Sequence, residues 1–229
     1  MKKSINKKFL SAKEAFFLQE QYIALPPFEH LLDSIHMLSQ EPGVYLIKGE
    51  PGCGKSTLLR HFAISRSNVS YFSPGFCDDD LLKIFDKLKR DEQTFVIDEA
   101  ELYDPRTLER LRISAKRDKL SLFLVTSQDF KPPSITFENA ILKSLTFPSL
   151  DFTHTKEYIQ KKLINHSLLP SLLLNNLDYR LIYRYTKGNL GAIDRFLYLY
   201  FDILYHYNGK KGKRKFLEMS AIELGYIDV

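Results

Sequence analysis

Cysteine is scarce, with Cys53 and Cys77 the only two in 229 residues. Two thiols cannot form a zinc-ligand set by themselves, and a domain of this size does not rest on a disulfide framework. The expected compartment is therefore reducing and cytoplasmic. Long apolar runs are lacking too: nothing approaches the ~18 uninterrupted apolar residues of a membrane-spanning helix. The start, Met1-Lys2-Lys3-Ser4, is basic, but the charged residues Lys7, Lys8, Lys13 and Glu14 follow where a signal peptide needs an apolar stretch. There is no internal repeat and no low-complexity segment. With 44% hydrophobic and 27% charged residues, the composition excludes a wholly disordered chain, a collagen and a coiled coil. The charge surplus is small, +5 with a pI near 9.0. It permits binding to nucleic acid or an anionic surface and requires neither. At ~150 residues per domain, the length suggests one main domain and a small appendage.

What the sequence does contain is an alternation. Runs rich in β-branched and aromatic residues recur at Val44–Lys48, Asn68–Phe72, Thr94–Ile97 and Leu120–Thr126, with a weaker one at Ile141–Phe147. Helical patterns lie between them. In Asp80–Arg90, Leu81, Ile84, Phe85 and Leu88 fall on one helix face, and Asp78–Asp80 can cap it and complement its dipole. Asp104-Pro105 opens a second helix as N-cap and first-turn proline, with Leu108, Leu111 and Ala115 on its buried side. Strands alternating with helices predict βαβ units and a parallel sheet. Beyond about residue 150 the strand signal stops. Helices are expected from Thr155 through Leu169, near Ser171–Tyr185, and over Gly191–Tyr207. The predicted organisation is an α/β domain over 1–150 and a small all-helical one over 151–229.

Residues 49–56 read Gly49-Glu50-Pro51-Gly52-Cys53-Gly54-Lys55-Ser56, which satisfies G-x-x-x-x-G-K-[ST]. A predicted strand leads in and a predicted helix, Ser56–Ile64, leads out. Phosphate oxygens need many donors converging at close range. Glycines let the backbone approach and tolerate positive φ, so successive N–H groups point inward, and the helix N-terminus adds its positive end. This Walker A loop, with Thr57 just beyond it, is the candidate ATP-binding segment. Lys55 would reach the β/γ-phosphates and the Ser56 hydroxyl would ligate Mg²⁺.

The strand Thr94-Phe95-Val96-Ile97 ends in Asp98-Glu99, a Walker B pattern that follows Lys55 by 43 residues to Asp98. Asp98 would hold the magnesium, usually through water, and Glu99 would polarise the attacking water. Phosphoryl transfer asks little more of a protein than positioning and charge stabilisation. A third strand runs into Thr126-Ser127-Gln128. These three polar residues are candidates for sensing a γ-phosphate or water, with no choice among them.

Together these residues resemble an AAA+ ATPase, over nearly the whole chain. Within that superfamily the chain resembles the ExeA-type and TniB-type ATPases of secretion, transposition and DNA uptake, with natural-transformation ATPases as the narrower likeness. The supporting pieces are Leu46–Gly52, Ile97-Asp98-Glu99-Ala100-Glu101, Leu145–Leu150 followed by Tyr158-Ile159-Gln160, and Tyr185–Asn189. The resemblance implies a P-loop NTPase parallel sheet sandwiched by helices, followed by a helical lid. It also implies ATP bound with Mg²⁺ between domain and lid, with Tyr22–Pro27 near the base. The implied partners are DNA, a membrane-associated or DNA-handling protein and further copies of the chain. The implied place is the cytoplasm, including the inner face of a membrane. Two departures stand out. The lid motif of this group carries an arginine where Gly191 stands here, leaving Arg195 as a substitute. The strand before the lid offers Lys143 where an arginine often reaches a neighbouring subunit, and lysine does not reproduce the guanidinium fork. Arg110, Arg112 and Arg117 are further interface candidates, unassigned.

The run Lys210-Lys211-Gly212-Lys213-Arg214-Lys215 fits either a nucleic-acid or anionic-lipid contact or a solvated loop between lid helices. Lys2, Lys3, Lys7 and Lys8 read as a solvated arm. Aromatics in Tyr198–Tyr207 read as lid core, with Tyr198 and His206 on the other face. Cys53 reads as filler, although Lys55 and a helix N-terminus favour a lowered thiol pKa. A nucleotide-gated scaffold with negligible turnover and a small-molecule kinase stay open as alternatives. A GTPase is disfavoured, because Thr186-Lys187-Gly188-Asn189 lacks the aspartate that reads guanine.

Overall fold

The computed structural model describes residues 2–17, 22–89, 93–207 and 213–227, with side chains from Lys7 onward. In chain order the elements are α1 (Lys2–Phe17), α2 (Pro26–Ser39), β1 (Gly43–Lys48), α3 (Lys55–Ile64), β2 (Val69–Phe72), α4 (Asp78–Leu88) and β3 (Thr94–Ile97). A single turn of 3₁₀-helix (Ala100–Leu102) precedes α5 (Pro105–Asp118), β4 (Ser121–Thr126), α6 (Ile135–Ala140) and β5 (Ile141–Thr146). Helices α7 (Phe152–Asn165), α8 (Pro170–Leu173), α9 (Asn176–Thr186), α10 (Leu190–His206) and α11 (Lys213–Glu223) complete the chain. The chain divides into two units, Pro26–Pro148 on one hand and Met1–Leu25 with Ser149–Val229 on the other.

Pro26–Pro148 is the α/β unit. Its strands form one five-stranded sheet in the order β2-β3-β4-β1-β5, and every pair is parallel. β3 and β4 are buried at every residue, which is why both read as near-continuous apolar runs. Alternation along the strands sends side chains to two faces. Leu46, Phe72, Ile97 and Leu124 share a core with Leu81 and Phe85 of α4 and Leu108 and Leu111 of α5. Tyr45 and Phe123 alternate to the other face and stack at 5.0 Å. Helix α5 starts as expected: the Asp104 carboxylate accepts the Arg106 N–H at 2.7 Å, and Pro105 occupies the first turn. In α4 the three acids lie inside the first turn rather than before it. Asp78 instead accepts the Asp104 N–H at 2.9 Å, linking the starts of α4 and α5.

The second unit is all helical, and its composition corrects the expected division: Met1–Leu25 belongs with the helices, not with the α/β domain. The reason is an apolar face hidden among the lysines. Phe9, Ala12, Ala15 and Phe16 of α1 are buried, and Phe16 stacks on Phe201 of α10 at 5.9 Å. The Lys13 ammonium lies 2.6 Å from Asp202 and over the Tyr198 ring at 4.8 Å. Tyr198 is thus covered by α1, also meeting Phe17 at 5.7 Å, and is not on a free face. Helix α7 begins earlier than Thr155, because Asp151 caps it by accepting the His154 N–H at 2.8 Å. The helix expected near Ser171–Tyr185 is broken in two by a capping box, in which Asn175 and Asp178 satisfy each other's backbone N–H groups. Among the described residues no helix is long and apolar enough to cross a membrane.

Two features fix this unit. Gly188 has φ +77°, and a Cβ there would overlap the Leu150 carbonyl; Gly188 O in turn accepts the Leu150 N–H. Deeper in, the buried Lys162 ammonium donates to Asp194 at 2.7 Å, and the Tyr158 hydroxyl donates to the same carboxylate at 3.0 Å. Burial raises the Asp194 pKa, while Lys162 and Tyr158 pull it back down. Lys162→Met strands that carboxylate and should cost about 3–5 kcal/mol of unfolding free energy, whereas Lys162→Met combined with Asp194→Leu should recover much of the loss. Urea denaturation checks this; equal losses in the single and double variants would contradict it. Gly188→Ala should also destabilise, by more than about 1 kcal/mol, because alanine resists positive φ.

Candidate functional site

All five strands run the same way, so their carboxyl ends meet at one edge of the sheet, where open α/β sheets bind ligands. The β1–α3 loop leaves from that edge. Gly49 is buried between neighbours: a Cβ there would lie 2.8 Å from Phe147 Cβ and 3.0 Å from Cys53 Sγ. Gly52 and Gly54 hold φ of 75° and 104°, a region that favours glycine. Gly54 is the N-cap of α3 and supplies no side chain to cap it. The first-turn N–H groups have no intrahelical acceptor there. Half-buried Lys55, Ser56 and Thr57 form that first turn, whereas Glu50, Pro51 and Gly52 are exposed. The Lys55 ammonium folds back over the loop, donating to Gly49 O at 2.7 Å and Glu50 O at 3.0 Å. Cys53 is buried, and burial outweighs Lys55, so its thiol pKa is pushed up rather than lowered. That leaves it a packing residue of the loop.

Asp98 is one residue beyond β3 and 1% exposed. Its two oxygens take different donors: Oδ1 accepts the Glu99 N–H at 3.0 Å, and Oδ2 accepts the Tyr71 hydroxyl. Glu99 adopts a left-handed backbone with φ 48° and ψ 47° and is exposed. For a non-glycine residue that conformation costs roughly 1–2 kcal/mol. It turns the chain sharply, so that Asp98 is buried while Glu99 faces out.

β4 lies between β3 and β1 and joins the two halves. Its last residue, Thr126, pairs in register with Lys48, and its carbonyl accepts the Gly49 N–H at 3.3 Å. The Thr126 hydroxyl is buried without a hydrogen-bond partner, an uncommon condition for a polar atom. The Ser127 N–H donates to Glu101 at 2.8 Å, and Gln128 is exposed. At ~4.8 Å between adjacent strands, the ends of β1 and β3 are about 10 Å apart. That spacing suits a triphosphate with a metal beside it. The donor set fits as well. The first-turn amides of α3 and the Lys55 ammonium suit phosphate, hydroxyl and carboxylate oxygens suit Mg²⁺, and Thr126 offers an uncommitted hydroxyl.

Other residues named from the sequence lie apart from this cluster. Lys213, Arg214 and Lys215 open α11 and are exposed; Lys210 and Lys211 lie outside the described residues. Lys143 is exposed on β5. Exposed Arg195 donates to Gly191 O at 3.2 Å, within its own helix. Arg112 pairs with Glu109 at 2.9 Å, and Arg117 pairs with Asp118 at 2.9 Å. Two contributors escape sequence reading. Tyr71 sits on β2 and Glu101 on the 3₁₀ turn. Glu101 does follow Asp98 closely in sequence, a weak signal. Nothing local marks Tyr71.

The model of the viral superfamily 1 RNA helicase core domain matches residues 45–166, which is more than half of the chain and takes in the phosphate loop, Asp98 and β4. No curated protein sequence matches. Among solved structures, the Holliday junction branch migration motor RuvB of Thermotoga maritima aligns at TM-score 0.60 and 17% identity, over 86% of this chain and 67% of that one. A point variant of the same RuvB aligns at TM-score 0.65 and 17% identity, over 87% of this chain and 68% of that one. Domain III of the T. maritima replication initiation protein DnaA aligns at TM-score 0.61 and 13% identity, over 90% of this chain and 95% of that domain. At such identities the likeness is one of fold, the AAA+ P-loop NTPase fold. On the family match, the chain belongs to the viral superfamily 1 RNA helicase core domain family of P-loop NTPases.

Proposed function

We propose that the protein is an ATP hydrolase that powers or switches a DNA-handling assembly. One observation carries the reading: β1, β4 and β3, adjacent in the sheet, bring Gly49–Ser56, Thr126 and Asp98-Glu99 to one edge. In this mechanism the loop N–H groups and the Lys55 ammonium bind the β/γ-phosphates. Ser56 and Asp98 would hold Mg²⁺, which would supply charge neutralisation at the phosphate oxygens. Glu99 accepts a proton from the attacking water, and the Thr126 hydroxyl, with Ser127 and Gln128 beside it, reads the γ-phosphate. Gly191 stands where the lid arginine of the resembled group would reach the γ-phosphate. Hydrolysis by the chain alone is therefore slow, and a partner or a second copy supplies the missing charge; an arginine finger is worth 10³–10⁵ in rate in related systems.

The nucleic-acid part of the proposal rests on the net charge of +5, on the exposed Lys213, Arg214 and Lys215, and on neighbours that include a helicase family, RuvB and DnaA. The ExeA-like and TniB-like motifs make DNA uptake, transposition or secretion the settings in which such a motor would serve, at the inner face of a membrane in the secretory case. A second reading, a nucleotide-gated scaffold with negligible turnover, draws on Gly191 at the position of a lid arginine and on the engagement of Arg195 with Gly191 O. Phosphate release measured with and without DNA separates the two, since a scaffold releases none in either condition.

Lys55→Ala should abolish ATP binding or turnover. Glu99→Gln should still bind ATP but hydrolyse it roughly 10²-fold more slowly or worse; a normal rate in that variant would overturn the assigned mechanism. If DNA binds through the start of α11, affinity should fall steeply with salt, and the triple change Lys213→Gln, Arg214→Gln, Lys215→Gln should flatten that slope. An unchanged slope would remove this segment from the interface.

A further inference from the structure

Metal binding by a Walker B carboxylate does not by itself explain why a tyrosine from a different strand is hydrogen-bonded to Asp98. β2 pairs with β3 so that Tyr71 lies beside Val96 and Phe72 beside Ile97. Phe72 and Ile97 belong to the core shared with α4 and α5. By alternation Tyr71 and Asp98 both project to the opposite face. That is the face of α3, which packs on β2 and begins at the phosphate loop. The Arg60 guanidinium of α3 lies over the Tyr71 ring at 5.7 Å and neighbours its hydroxyl. A tyrosine hydroxyl has one proton. With a cation on its acceptor side, that proton is directed to Asp98.

We propose that Tyr71 is a positioning residue for Asp98: its hydroxyl and the Glu99 N–H fix the two carboxylate oxygens, so that the carboxylate presents a set orientation to Mg²⁺. The proposal rests on the ATPase reading above and deepens it. A carboxylate at the end of a strand is otherwise free to turn about two side-chain bonds. Buried as it is, it is also costly to leave without donors. One donor from its own backbone and one from a neighbouring strand remove that freedom. Through Arg60, the donor is tied to the helix that carries Lys55 and Ser56, so the metal-binding oxygen and the phosphate loop are held to one another by side chains as well as by the sheet. Packing alone would be served equally well by phenylalanine; the hydroxyl serves Asp98.

Tyr71→Phe keeps the ring and deletes the donor. Binding of a fluorescent ATP analogue is titrated with MgCl₂, alongside a metal-free titration in EDTA. In the variant the Mg²⁺ concentration for half-maximal enhancement of binding should rise roughly tenfold, the effect typical of losing an outer partner of a metal ligand. The metal-free affinity should stay within about twofold of wild type, because no phosphate contact is lost. Arg60→Met, which leaves the tyrosine in place, should move the same midpoint in the same direction by less. An unmoved Mg²⁺ midpoint in both variants, with metal-free affinity intact, overturns the proposal while leaving the ATPase reading standing. Absence of any Mg²⁺-dependent binding by the wild-type chain overturns both.

Discussion

There is almost no spare room where β1 turns into α3. At Gly49 the backbone passes between Phe147, Cys53 and Lys55 so closely that a single methyl group would collide with Phe147 and press on the other two. Main-chain amides of such a loop can approach a phosphate directly, which flexible side chains do only at greater entropic cost. Much of the α/β unit can be understood as support for it. β1 is flanked on one side by β4 and on the other by β5, so the strand feeding the loop is held along both edges. Phe147, just after β5, closes over Gly49, and Phe147 N donates to Lys48 O at 2.7 Å. The same parallel arrangement delivers Asp98 and Thr126 to the same edge without any further device.

The helical unit solves a different problem, the ordering of amphipathic helices with few glycines and no disulfide. It does so with two tight devices: Gly188 pressed against Leu150 and the buried Lys162–Asp194–Tyr158 network. The Lys162 ammonium also faces the Phe16 ring at 5.4 Å, so α1 completes the surroundings of the ion pair. This accounts for the grouping of the first residues of the chain with its last eighty or so. A buried charge needs close company on every side, and α1 provides part of it.

Much of this was legible in the sequence, for physical reasons that differ by element. β1, β3 and β4 could be placed because buried parallel strands are nearly unbroken apolar runs, whereas the less buried β2 and β5 were marked by their β-branched and aromatic residues. The phosphate loop and Asp98 could be placed because their chemistry demands fixed residue types at fixed spacing. Helix α1 could not, since its small apolar face of Phe9, Ala12 and Phe16 is surrounded by lysines that give it the look of a solvated arm. The break between α8 and α9 was hidden because Asn175 and Asp178 form a cap within an otherwise helical apolar pattern. Tyr71 and Glu101 were hidden for a deeper reason. Their partners, Asp98 and Ser127, are 27 and 26 residues away in sequence. Those contacts depend on strand order, which no local pattern records.

The central claim is that three neighbouring strand ends form a single site for a metal-bound triphosphate. Amide-resolved NMR of the wild-type chain titrated with ATP and Mn²⁺ tests it most directly, because the paramagnetic ion broadens the signals of the residues around it. The account predicts broadening at Gly49–Ser56, at Asp98-Glu99 and at Thr126-Ser127 together, absent when ATP is omitted. If ATP and Mn²⁺ left these three segments sharp, or broadened the phosphate loop without the ends of β3 and β4, the single site described here would be contradicted.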